Sequence, residues 1–224
     1  MAKGQIDLVI FDLDGTLIDS IVDIAGALNH VLRLKGHPTV TVDAVRRMVG
    51  DGVSMLVRRA LNEVAPAAGP PSDATVNEMA ETIWQYYVDH PCVDSQPFDG
   101  VIKVLDELAA RGVAIAVLTN KPGDVARALF DVLGMRSRFT DVIGDMDGYA
   151  RKPSPEAVAV LMRKSGATAG RTLMVGDGIP DVGVARAAGV ASVACLWGYT
   201  PAASLMAENP THAITTPEAL LSLV

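Results

Sequence analysis

The chain has 224 residues, of which 50% are hydrophobic and 4% aromatic, and its formal net charge is -7. This length is enough for one α/β domain with a smaller insertion and a substantial core. Acidic residues outnumber basic ones and no Lys/Arg block occurs, which argues against nucleic acid as a partner.

The first predicted element is a strand over residues 6–11, in which all but one residue is apolar. Such a run is typical of a strand buried on both faces of a parallel sheet. Asp12 and Asp14 follow it, and residues i and i+2 of an extended chain project to the same side. Gly15 permits a sharp bend and Thr16 adds a hydroxyl. The pattern predicts either a strand-end turn with two solvated acids or a pair of carboxylates joined by a cation such as Mg2+.

Residues from about 20 to 90 carry helical patterns and no strand pattern. Ser20 is expected to cap the first helix, which ends at Gly36 and Pro38. A second helix is predicted from Asp43 to the break at residues 50–52, a third over residues 53–64, and a fourth after Ser72. Residues 65–71 form a turn-rich connector between the last two. The sequence therefore predicts an all-helical unit inserted after the first strand.

Strand and helix patterns alternate from residue 98 onward. Strands are predicted at 113–118, 141–144, 172–175, 190–196 and 212–214, with helices at 100–111, 124–133, 155–164 and 181–188 and a final helix after 214. This alternation predicts an α/β fold with a doubly wound parallel sheet. Two passages, near residues 17–20 and 91–97, would join the helical unit to it, and such a connection can hinge.

Further polar residues stand at predicted strand ends or helix starts. They are Thr119 and Asn120, Lys152, and Asp177 and Asp181 after Gly176. Ligands of open α/β sheets bind outside the carboxyl ends of the strands, so these residues should meet Asp12 and Asp14 at one edge of the sheet. Four acids, a lysine and a hydroxyl there predict a site for a metal and a phosphate.

The chain resembles the haloacid dehalogenase-like hydrolase superfamily, whose four motifs it carries in order: Asp12-x-Asp14-Gly15-Thr16, Thr119, Lys152-Pro153 and Gly176-Asp177-x-x-x-Asp181. The resemblance covers essentially the whole chain, because the helical unit lies where this superfamily has its type-one cap. It implies a Rossmann-like catalytic core at residues 1–18 and 97–224 and a cap domain at residues 19–96, called the cap below. Dehalogenases of the superfamily lack the acid at Asp14, whereas its phosphatases and phosphomutases have it.

The resemblance also implies catalytic and metal-binding roles. Asp12 would attack phosphorus and form an aspartyl-phosphate, and Asp14 would act as general acid and then as general base. The carboxylates of Asp12 and Asp177 and the backbone carbonyl of Asp14 would bind Mg2+. Asp181 would orient the metal-bound waters.

Thr119, the Asn120 backbone and Lys152 would hold the phosphoryl oxygens in this scheme. We expect the neighbouring Lys121 to face solvent rather than to act as a ligand. Both cysteines, Cys92 and Cys195, are isolated, as is typical of reduced thiols in a cytoplasmic protein.

Residues 48–61 resemble the cap segment of bacterial phosphoglycolate phosphatases, and residues 118–122 resemble their second motif. The segment Gly50, Asp51 and Gly52 either exposes backbone N–H groups over the site or only turns the chain between helices. Arg47 or Arg58 either meets a substrate carboxylate or is solvated. These positions are the candidate determinants of substrate specificity.

The predicted function is Mg2+-dependent hydrolysis of a small phosphate monoester, with 2-phosphoglycolate as the first candidate. Alternatives are a sugar-phosphate phosphatase, a pyrophosphatase or a phosphomutase of the same superfamily, and a non-catalytic phosphate-binding protein. The expected partner is a small phosphorylated metabolite, without nucleic acid or membrane, for a monomer or homodimer in the cytoplasm. Residues 1–5 lead directly into the first strand, and we expect neither a signal peptide nor a transmembrane segment.

Overall fold

The computed structural model describes residues 6–224, so the expectation for residues 1–5 lies outside the described part. In chain order the elements are β1 (Leu8–Phe11), β2 (Ile18–Asp19), α1 (Ile21–Leu34), α2 (Val42–Arg46), α3 (Val53–Val64), α4 (Asp73–Asp89), β3 (Gln96–Pro97), α5 (Val101–Ala110), β4 (Ala114–Pro122), α6 (Gly123–Val132), β5 (Asp141–Asp145), α7 (Glu156–Ser165), β6 (Thr172–Gly176), α8 (Ile179–Ala188), β7 (Ala191–Cys195), α9 (Ala202–Ala207) and β8 (His212–Ile214). The final predicted helix is a short 3-10 helix, Pro217–Ser222.

A six-stranded sheet with strand order β5-β4-β1-β6-β7-β8 forms the centre of the fold, and all its strand pairs are parallel. Alternate residues of β1 face opposite layers. Val9 and Phe11 belong to a core shared with α5 and α6, whereas Leu8 and Ile10 belong to one shared with α7 and α8. Helices therefore cover both faces, and the predicted doubly wound α/β fold is confirmed.

The helices α1–α4 pack around a separate hydrophobic core. Its largest fully buried members include Leu28, Leu32, Met79 and Ile83. Within residues 20–90 the described elements are all helical, as the pattern predicted. No helix among residues 6–224 has both the length and the apolar character needed to cross a membrane.

The two passages between the cap and the core lie side by side. β2 and β3 pair antiparallel, with Ile18 opposite Pro97, and Phe98 N–H donates to Leu17 O at 3.0 Å. Two-residue strands carry no sequence pattern, and this pair was not predicted. The proposed domain boundaries, 18/19 and 96/97, fall within it and stay a prediction.

A carboxylate in the first turn of α1 holds the returning passage. Asp23 accepts hydrogen bonds from the backbone N–H groups of Val93, Asp94 and Ser95 and from the Ser95 hydroxyl, at 2.5–3.1 Å. Burial alone would raise the pKa of Asp23, but these four donors outweigh it and lower the pKa below its ordinary value. The end of the cap is thereby tied to its beginning.

Candidate active site

The predicted acids and the lysine converge at the carboxyl edge of the sheet. Asp12 directly follows β1, Asp177 follows β6, and Asp181 lies in the first turn of α8. Carboxylate oxygens of these three residues lie within 4.8 Å of one another. The motifs that are far apart in the sequence are thus neighbours in space.

Lys152 lies among these carboxylates, in the loop before α7. Its Nζ is 2.8 Å from Asp12 Oδ1 and 2.6 Å from Asp181 Oδ1, and its side chain is 2% exposed. Burial would lower the pKa of Lys152, but Asp12 and then Asp181 outweigh it and raise the pKa well above the ordinary range of lysine. Lys152 is therefore a permanent cation in the described site.

Asp12 has the most perturbed carboxyl group of the cluster. Burial, followed by the charge of Asp181, raises its pKa to about 8, with Asp177 acting in the same direction and Lys152 in the opposite one. Its Oδ1 is buried and accepts no well-aligned hydrogen bond, although Lys152 Nζ lies nearby. Three carboxylates against one ammonium leave an excess of negative charge and an unused oxygen ligand. This donor set fits a hard divalent cation, since oxygen ligands are those that Mg2+ prefers.

Asp177 and Asp181 each accept hydrogen bonds on both carboxylate oxygens, but from different kinds of donor. Asp177 accepts the Thr16 hydroxyl at 2.7 Å and the Tyr199 N–H at 2.8 Å, and burial, then Asp181, raises its pKa to about 6. In Asp181, Oδ1 bonds to Lys152 Nζ and Oδ2 accepts the Gly178 N–H at 2.8 Å. Of the two residues, only Asp181 is hydrogen-bonded to a cation.

Two glycines allow the backbone to approach Asp177 closely. A Cβ at Gly15, where φ is +86°, would lie 2.4 Å from Asp177 Oδ2, and a Cβ at Gly198 would lie 2.2 Å from Asp177 Cβ. Gly15 belongs to a predicted motif, whereas the loop after β7 was not included in the predicted site. The sequence signal for this loop was Gly198, two residues after the end of the predicted strand 190–196.

Asp14 lines the same pocket as Asp12, but its carboxylate lies on the cap side. It accepts the Ser20 hydroxyl at 2.5 Å and lies 3.2 Å and 3.3 Å from Lys121 Nζ. The expectation that Ser20 caps α1 through its side chain is wrong: Ser20 stands at the N-cap position but makes no capping bond. Its hydroxyl is used by Asp14 instead.

The expectation that Lys121 faces solvent is also wrong. β4 continues beyond Thr119 and Asn120 to Pro122, and Lys121 is only 8% exposed. Its Nζ lies 4.6 Å from the centre of the Tyr87 ring in α4. Burial would lower the pKa of Lys121, but Asp14 and then Tyr87 outweigh it and raise the pKa above its ordinary value. Lys121 is a buried, charged part of the pocket.

Thr119 and Asn120 also line the pocket, and each is held by backbone contacts. Thr119 Oγ1 accepts the Lys121 N–H at 3.2 Å, which leaves the hydroxyl proton available to a ligand. Asn120 Oδ1 accepts the Lys152 N–H at 3.0 Å, and its Nδ2 donates to Gly50 O at 3.1 Å. The Asn120 side chain therefore joins the cap, the core and the lysine loop.

The cap forms an apolar wall opposite the carboxylates. The side chains that line the pocket from this side are those of Ile24, Val49, Val53, Leu56 and Tyr87. Gly50 and Gly52 line it too, with φ of +115° and +85°. Gly50 presents its carbonyl, not its N–H, to the Asn120 side chain.

The other cap candidates lie away from the pocket. Arg47 Nη1 donates to the Asp43 carbonyl at 3.0 Å, and Arg58 binds the Pro71 carbonyl at 3.1 Å and the Asp73 carboxylate. Asp51 is paired with Arg59, which also binds the Met48 carbonyl at 2.6 Å. These charges connect parts of the cap to one another, and the structure does not bring them to the carboxylates.

The parallel α/β core, the inserted helical unit and the acids at one sheet edge agree with the class of hydrolase that the four motifs predicted. The family model described as haloacid dehalogenase-like hydrolase matches residues 9–195. The chain therefore belongs to the haloacid dehalogenase-like hydrolase family, as its four motifs predicted.

Relatives that align with most or all of the chain indicate which kind of hydrolase it is. A phosphoglycolate phosphatase of Rhodospirillum rubrum is 38% identical over 200 residues, which cover 88% of this chain and 83% of the relative. A phosphoglycolate phosphatase of Vibrio parahaemolyticus is 33% identical over 224 residues, covering 100% and 98%. The crystal structure of a predicted phosphoglycolate phosphatase from Haemophilus somnus superposes with a TM-score of 0.88 at 27% identity, covering 98% of both chains. The chain is accordingly a phosphoric monoester hydrolase.

Proposed function

We propose that this protein is a Mg2+-dependent phosphatase that hydrolyses 2-phosphoglycolate to glycolate and phosphate through an aspartyl-phosphate on Asp12. The observation that carries the proposal is the surroundings of Asp12. Its carboxylate lines a pocket beside the buried ammonium group of Lys152, and a second carboxyl group, Asp14, lines the same pocket. Binding alone would not require a nucleophile next to a proton donor. The naming of the relatives supports the choice of substrate.

In the first step Asp12 attacks phosphorus and a new P–O bond forms. The bond between phosphorus and the glycolate oxygen breaks, and that oxygen takes a proton from Asp14 as the alcohol leaves. The Ser20 hydroxyl and Lys121 hold the Asp14 carboxyl group on the cap side of the pocket, where the leaving group would lie.

In the second step water attacks the phosphorus of the aspartyl-phosphate. Asp14, now a carboxylate, takes a proton from that water, the P–O bond to Asp12 breaks, and phosphate is released. Splitting the hydrolysis in this way replaces one difficult displacement with two easier ones.

Phosphoryl oxygens would be held by Thr119, the Asn120 backbone and Lys152. Lys152 supplies a buried positive charge, and Thr119 supplies a hydroxyl proton that no described acceptor uses. Fixed donors in a site screened from water stabilise developing charge strongly, because they need no reorganisation during the reaction.

Mg2+ would be bound by the carboxylates of Asp12 and Asp177 and the backbone carbonyl of Asp14. When bound, it would offset the negative charge of the cluster and of the phosphoryl group. Asp181 would stay outside the ligand set, because its Oδ1 is already paired with the ammonium group of Lys152, whereas the described donors to Asp177 are a neutral hydroxyl and a backbone N–H. Gly50 and Gly52 remain candidate specificity positions, whereas the contacts of Arg47, Arg58 and Asp51 give no support for that role.

A substrate panel with and without Mg2+ tests this function. We expect phosphate release from 2-phosphoglycolate to exceed that from pyrophosphate, a sugar phosphate and a nucleotide, and to stop in excess EDTA. Protein recovered from an acid-quenched reaction should carry one phosphoryl group on Asp12. Equal turnover of all substrates would refute the choice of substrate, and undiminished turnover in EDTA would refute the metal requirement. Activation by a bisphosphate with slow phosphoenzyme hydrolysis would identify a phosphomutase instead.

The partner proposed for the pocket is one small phosphorylated metabolite. A cytoplasmic location and a monomeric or homodimeric state stay predictions from the sequence. Size-exclusion chromatography with light scattering tests the second of these.

A further inference from the structure

One buried charge in the pocket has no direct role in the proposed reaction. Lys121 is neither a nucleophile nor, in that scheme, a holder of phosphoryl oxygens, yet its ammonium group is buried at the pocket wall. We propose that Lys121 is a specificity-determining residue that binds the carboxylate of an acidic leaving group. This inference rests on the proposed function and names the group that selects the substrate.

The position of the ammonium group supports this role. Lys121 Nζ lies 3.2 Å and 3.3 Å from the two oxygens of Asp14, the proposed proton donor to the leaving oxygen. In 2-phosphoglycolate one methylene carbon separates that oxygen from the carboxylate. A cation beside the proton donor is therefore within reach of a carboxylate at this distance, whereas a cation at the phosphoryl group would not discriminate between leaving groups.

Lys121 has donor capacity left for a ligand. An ammonium group has three N–H donors, and well-formed charge-assisted hydrogen bonds are about 2.7–2.9 Å long. Both contacts to Asp14 are longer, and among the described residues Asp14 is the only acceptor of Lys121 Nζ. The Tyr87 ring supports the ammonium group without using a donor.

The pocket offers few other cations for this task. Among the described residues that line it, Lys121 is the only positively charged one, and Lys152 lies against Asp12 and Asp181, where the phosphoryl group would bind. The apolar side chains of the cap keep the local dielectric low, which strengthens attraction between an ammonium group and a carboxylate.

The test uses three esters that differ in the charge of the leaving group: 2-phosphoglycolate, ethyl phosphate and phosphoethanolamine. We expect the wild type to rank them in that order by kcat/KM. Lys121→Met should lower kcat/KM for 2-phosphoglycolate by ~100-fold more than for ethyl phosphate. Lys121→Arg should retain the preference. Arg47→Met and Arg58→Met are the matched controls, and both should keep the wild-type ratio.

The outcomes distinguish a failure of the Lys121 inference from a failure of the proposed function. If the wild type prefers 2-phosphoglycolate and Lys121→Met loses activity equally on all three esters, Lys121 only positions Asp14 and the specificity role is overturned. If the wild type shows no preference, the proposed substrate itself fails. Lys121→Gln replaces the Met variant if circular dichroism shows that the latter does not fold, and an unchanged substrate ratio in Lys121→Gln overturns the inference equally.

Discussion

The two sides of the pocket differ in the polarity of their side chains. The core side is dense in charge: each carboxylate of the Asp12, Asp177 and Asp181 cluster lies near another charge or accepts hydrogen bonds. The described cap side chains that line the pocket are apolar or, in Tyr87, aromatic. Charged groups of the cap, such as Arg58 and Asp51, are paired with other cap residues.

This difference suggests that the core side chains carry out the chemistry and that the cap side chains control access to the pocket. Core substitutions should change catalysis because they alter the charges around the phosphoryl group. Cap substitutions should change stability or substrate access, because the cap contributes shape and excludes water. Lys121 lies at the boundary, since it is a core residue packed against the cap aromatic ring of Tyr87.

The largest effect is expected for Asp12→Asn. Removing the proposed nucleophile should lower phosphate release by ~10^4-fold or more, because an amide would not form the phosphoenzyme. Near-normal turnover would show that the chemistry does not depend on this carboxylate.

Lys152→Met should affect both activity and stability. Loss of the ammonium group leaves Asp12 and Asp181 without their shared cation, and breaking such a buried pair costs about 3–5 kcal/mol. Urea unfolding measures this loss. The double variant Lys152→Met/Asp181→Asn should recover part of the stability but none of the activity. Full activity of either variant contradicts the division between the two sides.

Gly198→Ala tests the packing behind Asp177. The new Cβ would lie 2.2 Å from Asp177 Cβ, so the carboxylate must move. Displacing this proposed metal ligand should raise the Mg2+ concentration at half-maximal activity by about 10–100-fold. Gly170→Ala is the matched control, because no atom lies within 4 Å of its added Cβ. Equal Mg2+ requirements in both variants would count against Asp177 as a ligand.

Asp23→Asn should weaken the connection between the beginning and the end of the cap in a pH-dependent way. The pKa of Asp23 is below its ordinary value of 3.8 in the folded chain, so its charge stabilises the fold above that pH. At neutral pH we expect a loss of about 1–2 kcal/mol, at the lower end because Asp23 is partly exposed. The difference from wild type should shrink as the pH falls below 3.8.

Urea titrations across this pH range measure the Asp23 effect. Asp94→Asn makes the same charge change on an exposed residue of the same loop and should have little effect. Similar losses in the two variants would mean that the hydrogen bonds of Asp23 are not the cause.

The smallest effect is expected for Trp84→Phe. Trp84 Nε1 in the cap donates to Asp124 Oδ2 in the core at 2.9 Å, at an exposed site. Losing this bond should raise KM by about twofold to fivefold, the equivalent of about 0.5–1 kcal/mol, with kcat unchanged. Tyr86→Phe on the same helix is the control. A large fall in kcat would mean that this contact affects the chemistry as well as access.

The sequence predicted most of the core because its signals are local. Apolar runs such as residues 8–11 mark buried strands, and the acids after them fall at strand ends, where parallel topology brings them together. Lys121 shows the limit. Its burial depends on Asp14 and Tyr87, which lie 107 and 34 positions away, so no local pattern could reveal that a lysine would be paired there.

The cap shows the same limit for residues that the sequence offered as substrate ligands. Arg47 and Arg58 carry the charge that a substrate carboxylate would need, but Arg58 binds Asp73, beyond a turn-rich connector, and this partner became evident only from the fold. Ser20 was expected to cap its helix, yet its hydroxyl bonds to Asp14, across a turn that the sequence does not specify.

The short antiparallel pair of β2 and β3 makes the inserted segment modular. Because Ile18 faces Pro97, the polypeptide leaves the sheet and returns to it at neighbouring points. Closing a longer or shorter segment across a fixed gap changes the entropy only slowly with length. Segments of quite different size could therefore occupy this place without shifting the register of the central strands, which leaves the carboxylate cluster intact while the surface above it is exchanged.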